Sequence, residues 1–195
     1  DTEIDRKRLC KMEIHRLLDA YSKRALQDKL ILFDRVSSPY SNPRDSLRRW
    51  DIIEFIEMVK KYAELRLIVL VRNPISATFS CLRRHFTENL HLQAKIIEDN
   101  YIFISSQIKT IEDPSIYRIL DYDLFFDRPD SYIEKLADWL GFSPDDLENE
   151  SLLNKPWQIS DIPEPSRTML SEFFTPRRQS QWAWLYEHPN NFSNH

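Results

Sequence analysis

The chain has 195 residues, only one of them glycine, with 42% hydrophobic side chains and a net charge of −4 from 27 basic and 31 acidic residues. About 14 glycines would be usual at this length, so their scarcity excludes, within these residues, a GxxxxGK(S/T) phosphate loop, a GxGxxG dinucleotide turn and a GxSxG nucleophile elbow. The acidic balance predicts no general attraction to nucleic acid, no apolar run approaches the roughly 18 residues of a membrane span, and the two cysteines are too few for a disulfide framework or a cysteine-rich zinc site. HExxH is absent and the five histidines show no ligand spacing, so no metal is expected. The apolar content suffices for one core, and the length predicts a single domain over residues 1–195.

Helical and strand periods alternate along the chain. Cys10, Ile14, Leu17, Leu18 and Tyr21 fall on one helix face. The short apolar run over 29–33 reads as a buried strand, and a polar, proline-containing segment follows from Ser37 to Pro43. The next helix is expected from about Asp45, with Ile52, Phe55, Ile56, Val59 and Ala63 inward. Residues 65–71 form the strongest strand, a run suited to a parallel sheet covered on both faces. It stops at Arg72-Asn73-Pro74, where Asn73 is suited to cap a helix and Pro74 to begin it. A long helix is predicted over 87–108, with Leu90, Ala94, Ile97, Tyr101, Ile104 and Ile108 inward. A further strand is expected over 116–120 and a turn over 127–130. Ser131 with Glu134 reads as a capping box, opening a helix that Gly141 ends in a left-handed conformation. Residues 154–165 read as a loop with three prolines, and short helices are expected over 166–174 and 176–187. Strands separated by helices predict an α/β fold, a three-layer α/β/α sandwich with a mostly parallel sheet. Only three strands are visible, which predicts that the sheet's first strand is missing from this chain.

Ligands of an open α/β sheet bind beyond the carboxyl ends of its strands. Arg72 lies at such an end, and Ser80 follows eight residues later, on the same helix face as Ser76. A guanidinium and a hydroxyl near the positive end of a helix dipole suit a phosphate monoester. From the pair alone, two plainer roles stay open: a structural ion pair at Arg72, and a serine facing solvent or a carbonyl.

Leu67-Ile68-Val69-Leu70-Val71, then Arg72-Asn73-Pro74, then Ser80 closely resembles the 3′-phosphate segment of sulfotransferases that use 3′-phosphoadenosine 5′-phosphosulfate (PAPS). That segment is an apolar strand, R-(N/D)-P, and a serine eight residues after the arginine. Asp123-Leu124, Asp127-Arg128-Pro129 and the run from Ile133 to Phe142 are similar to the family's YEDL…DP…L..FLG segment. Here Asp121 stands in place of the tyrosine, Tyr122 in place of the glutamate, and one residue is inserted before Pro129. Phe173-Phe174-Thr175-Pro176 with Leu185 is a weaker echo of the closing FY.P.N..L helix. The resemblance runs from about Leu30 to Leu185. It implies a P-loop NTPase-like fold, PAPS as co-substrate without a metal, and Arg72 and Ser80 on its 3′-phosphate. The implied reaction transfers a sulfuryl group to a hydroxyl or amine of a carbohydrate or small molecule.

The family's opening loop, P-K-S-G-T-(S/T), which holds the 5′-phosphosulfate, has no match here. The expectation is a chain that begins after that loop. The alternative is a non-catalytic relative that has lost the loop and serves as a binding or scaffold domain. A P-loop-type small-molecule kinase is a further alternative, needing the loop and an acidic Mg²⁺ ligand at a strand end, a part open to Asp121 or Asp123. In the family, the strand after the loop often ends in a basic residue or histidine near the acceptor. Here it ends in Phe33-Asp34-Arg35-Val36-Ser37-Ser38-Pro39, similar to a D-K-S-P variant, which places Arg35 at the leaving oxygen. Arg35 cannot serve as base, because its pKa stays above about 12. Asp34 serves as base only with a raised pKa, and a strand-end ion pair of the two is the plainer reading. His85 is either a base or a surface histidine. Lys155, Arg177 and Arg178 are C-terminal cations of the kind that completes the 3′-phosphate site in the family. Trp139, Trp157, Trp182 and Trp184 either pack or stack on the adenine. The sequons at Asn149 and Asn191 are close to chance, leaving a cytoplasmic location slightly favoured over the Golgi lumen.

Overall fold

The computed structural model describes residues 12, 15–16, 18–20, 51–83, 88–141, 143 and 158–192. The expected strand over 29–33, and with it Asp34, Arg35, His85, Lys155 and Trp157, lies outside the described residues. The chain divides into two compact units, Asp1–Leu65 with Gln107–Ile111, and Arg66–Ser106 with Glu112–His195.

In the first unit, helix α1 (Ile52–Val59) begins where Asp51 accepts the Glu54 N–H at 3.0 Å. The N–H of Ile52, an orphan at the helix start, is taken by Gln107 Oε1 at 2.8 Å. Ile52, Phe55, Ile56 and Val59 are buried at the spacing of one helix face. Leu18 joins Phe55, Met58 and Val59 in a core, with Tyr62 and Leu65 packed against it. The helix starts later than the expected position near Asp45, because Asp51 takes the cap. It stops at Lys60, whose N–H returns to the Ile56 carbonyl, so Ala63 is exposed rather than inward.

Leu65 therefore belongs to this core, and strand β1 of the second unit begins two residues later (Leu67–Val71). β1 pairs in parallel with β2 (Tyr117–Asp121), Leu67 opposite Tyr117 and Val71 opposite Asp121. The architecture is mixed α/β and mostly helical, with a two-stranded parallel sheet among the described residues. Val69 and Val71 are buried on one face of β1; on the other, Ile68 packs against the core of Leu120, Tyr132 and Phe192, whereas Leu70 is 58% exposed. Helices α2 (Pro74–Arg83) and α3 (Leu90–Ile108) carry the chain from β1 to β2, α3 starting where Asn89 accepts the Leu92 N–H at 2.9 Å.

The chain after β2 differs from expectation. Helix α4 (Tyr122–Asp127) starts at once, because Asp121 accepts the N–H groups of Asp123 and Leu124. Helix α5 (Pro129–Leu140) then begins at the proline, which lacks the N–H that a first helical residue leaves unused. Ser131 thus lies inside the first turn, and the expected capping box with Glu134 does not open the helix. Gly141 ends α5 as expected, at φ 80°, donating to the carbonyls of Ala137 and Asp138. Helix α6 (Glu164–Phe173) follows, and the expected single helix over 176–187 is two, α7 (Pro176–Gln179) and α8 (Trp184–Glu187), with a turn between them. Val71, Ile119, Leu170, Trp182 and Leu185 are fully buried.

β2 has a second neighbour. Ile119 donates to the Asn190 carbonyl at 2.9 Å and bridges in parallel to Asn191. His188 fixes this turn, because its Nδ1 accepts the Asn190 N–H at 3.0 Å. That contact needs Nδ1 unprotonated, so in the neutral ring Nε2 carries the hydrogen toward Tyr117 Oη at 3.2 Å. Burial lowers the pKa of His188 from its usual 6.5. The unfolded chain therefore takes up this proton first as pH falls, so the stabilisation is full above about pH 6.5 and is lost below it. His188→Asn keeps an acceptor at the Nδ1 position and cannot titrate. Thermal melts from about pH 8 to pH 5 are expected to show wild type losing more melting temperature than His188→Asn. Parallel pH profiles of the two proteins would refute the role.

Candidate functional site

The carboxyl end of β1 gathers side chains from three helices of the second unit around one dipeptide, Arg72-Asn73. Asp123, in α4, spans both residues: Oδ1 accepts Arg72 Nε–H at 3.0 Å and Oδ2 accepts the Asn73 N–H at 2.8 Å. The pair is largely shielded, with side-chain exposures of 15% for Arg72 and 21% for Asp123. The guanidinium carbon lies 5.3 Å from the Tyr122 ring centroid, a cation–π contact. Tyr101, from α3, accepts the Arg72 N–H at 2.7 Å and donates its own hydrogen to the Arg72 carbonyl. Tyr186, from α8, donates to the same carbonyl at 2.7 Å. A strand end leaves its last N–H and C=O without ladder partners, and here side chains satisfy them. Burial pushes the Tyr101 hydroxyl up to about 12, against a lesser opposing pull from its Arg72 backbone bond. Burial raises Tyr186 too, with Tyr101 adding to the effect. Both hydroxyls therefore stay protonated donors at neutral pH.

The turn into α2 is equally closed. Asn73 Oδ1 accepts the N–H groups of Ile75 and Ser76 at 3.0 and 3.4 Å, the expected cap. Those donors are consumed, so an anion here would rely on side chains and the helix dipole rather than on the helix N–H groups. Ser76 is buried and Ser80 half-buried. Ser80 lies about 9 Å along the axis from Pro74, at roughly 1.5 Å per residue. A single anion touching Arg72 and Ser80 must therefore lie along the flank of α2, not over its end. Ser80 is not among the Arg72 partners named above.

Other sequence candidates have structural partners. Arg178 donates to the buried Glu98 at 3.3 and 3.4 Å, with its guanidinium carbon 4.2 Å from the Phe173 ring centroid; Arg177 is exposed. Trp184 Nε1 donates to Ser105 Oγ at 2.6 Å, and Trp139 Nε1 to the Ser115 carbonyl at 3.3 Å. Trp182 is fully buried.

Asp121 stands one residue before the cluster and caps α4. Burial raises its pKa, the Leu124 N–H opposes this, and the charge of Asp123 raises it further. A carboxyl raised in the fold holds its proton better there than in the unfolded chain, so it penalises stability increasingly as pH climbs above 3.8. Asparagine caps about as well as aspartate. Asp121→Asn is therefore expected to melt at or above wild type near pH 7, with the advantage gone below about pH 4. A lower melting temperature at neutral pH would contradict this.

Sequence reasoning missed Asp123, Tyr101 and Tyr186 as partners of Arg72. The parallel register holds the one usable signal: Val71 opposite Asp121 puts the residues after each strand side by side. Among the described residues, no helix is long and apolar enough to cross a membrane, and no three or more His, Cys, Asp or Glu side chains are grouped to hold a metal ion. The chain matches no protein-family model, no curated protein and no solved structure at a significant level.

Proposed function

We propose that this chain carries the 3′-phosphate half of a PAPS-dependent sulfotransferase, built as a P-loop NTPase-like three-layer sandwich and acting on a hydroxyl or amine of a carbohydrate or small molecule. The observation that supports it most is Arg72: a shielded guanidinium fixed at the carboxyl end of a parallel strand, followed by a capped helix with Ser80 eight residues on. A fixed guanidinium and a hydroxyl are suitable donors for a phosphate monoester. On this reading Arg72 and Ser80 hold the 3′-phosphate, Arg35 neutralises the leaving oxygen, and Asp34 is the candidate base. The kinase alternative is less well supported. Both Asp123 oxygens are committed to nitrogen donors, and Asp121 Oδ1 caps α4, so the acids at this strand end are already engaged.

Calorimetry on the chain tests the reading with two nucleotides, adenosine 3′,5′-bisphosphate and adenosine 5′-monophosphate. The bisphosphate is expected to bind at least about tenfold tighter, the worth of one or two charge-assisted hydrogen bonds, and Ser80→Ala to lose much of that margin. Equal affinity for the two nucleotides would overturn the assignment and leave the scaffold reading.

A further inference from the structure

Arg72 is held from two sides by groups that would not themselves touch a phosphate. Asp123 takes Nε–H, the inner donor of the guanidinium, and with its second oxygen takes the next backbone N–H. This ties the plane of the side chain to the strand-to-helix turn. Tyr186 reaches the Arg72 carbonyl from α8, 114 residues away in sequence, and so fixes the main chain from which the side chain springs. A free arginine side chain samples many rotamers, and a site that freezes it beforehand spares a ligand that entropic cost.

We propose that Asp123 and Tyr186 are positioning residues for Arg72, setting the orientation in which it receives an anionic phosphoryl group. The proposal rests on the 3′-phosphate reading above. Asp123 is itself an anion, so charge and positioning act in opposite directions. By charge alone, removing Asp123 should tighten phosphate binding; by positioning, it should weaken it.

The experiment is a double-mutant cycle on the full chain, with adenosine 3′,5′-bisphosphate as probe and calorimetry as readout. The proteins are wild type, Asp123→Asn, Arg72→Ala and the double variant, with thermal melts to verify folding. Asp123→Asn is expected to weaken binding about tenfold, as loss of a charge-assisted contact does. The double variant is expected to bind no worse than Arg72→Ala, because Asp123 acts only through the arginine. A merely structural role for Asp123 would instead make the two losses multiply. Tyr186→Phe, which removes one oxygen and no charge, runs through the same cycle if Asp123→Asn does not fold; about threefold weakening is expected, absent in the Arg72→Ala background. Unchanged or tighter binding by the folded variant, or multiplying losses, overturns the positioning role while the phosphate reading stands. Bisphosphate binding that does not depend on Arg72 overturns both.

Discussion

Arg72→Ala is expected to weaken binding of adenosine 3′,5′-bisphosphate about 100-fold, or ~2.7 kcal/mol, within the range for truncating one member of a shielded, hydrogen-bonded charge pair. The same change leaves one Asp123 oxygen without its guanidinium partner, while the Asn73 N–H still satisfies the other. The stability cost should therefore be moderate, about 1–3 kcal/mol. Affinity should thus collapse in a protein that still folds, and melts beside calorimetry separate the two effects. Arg72→Lys is expected to fall between. It keeps the charge but loses Nε and the planar fork, so it cannot hold Asp123 and present donors beyond it at once. If Arg72→Ala binds the bisphosphate as wild type does, Arg72 is a structural ion pair and nothing more.

That plainer alternative was already visible in the sequence, and the structure sharpens it. The strand, the proline start of α2 and the Asn73 cap were legible because each follows from local chemistry: an apolar run, a missing N–H, a short side-chain acceptor. Gly141 was legible for the same reason. What was not legible depends on contacts far along the chain. Asp123, 51 residues from Arg72, and Tyr186, 114 residues away, are ordinary residues on short helices until the parallel register and α8 bring them to one strand end. The spacing puts Tyr101 on the inward face of α3, where it is buried, but periodicity identifies a buried side, not the partner of a hydroxyl. The short helix α4 has no apolar period of its own to announce it: Asp121 is the last residue of β2, and its side chain already caps the next element. Local patterns also misplaced α5, where the Ser131–Glu134 pair offered a start that Pro129 pre-empted.

Tyr101 depends in turn on Trp182, which is fully buried with its ring centroid 5.7 Å from that of Tyr101. Trp182→Ala is expected to cost about 3–5 kcal/mol, the sum of lost transfer energy and an unfilled cavity. For a chain of this size that lowers the melting temperature by roughly 10 °C, read by circular dichroism. Trp182→Phe should cost less. It keeps an aromatic surface for Tyr101 and removes an indole N–H that has no partner among the described residues. The informative comparison is with Phe192→Ala, which empties a different cluster, that of Leu120 and Tyr132. Both alanine variants should melt early, but only Trp182→Ala removes the ring packed against that of Tyr101, whose hydroxyl bonds the Arg72 N–H and carbonyl. At a temperature where both are folded, Trp182→Ala is therefore expected to weaken bisphosphate binding and Phe192→Ala to leave it near wild type. Equal affinities in the two variants would show that the core beneath Tyr101 supports the fold without tuning the arginine.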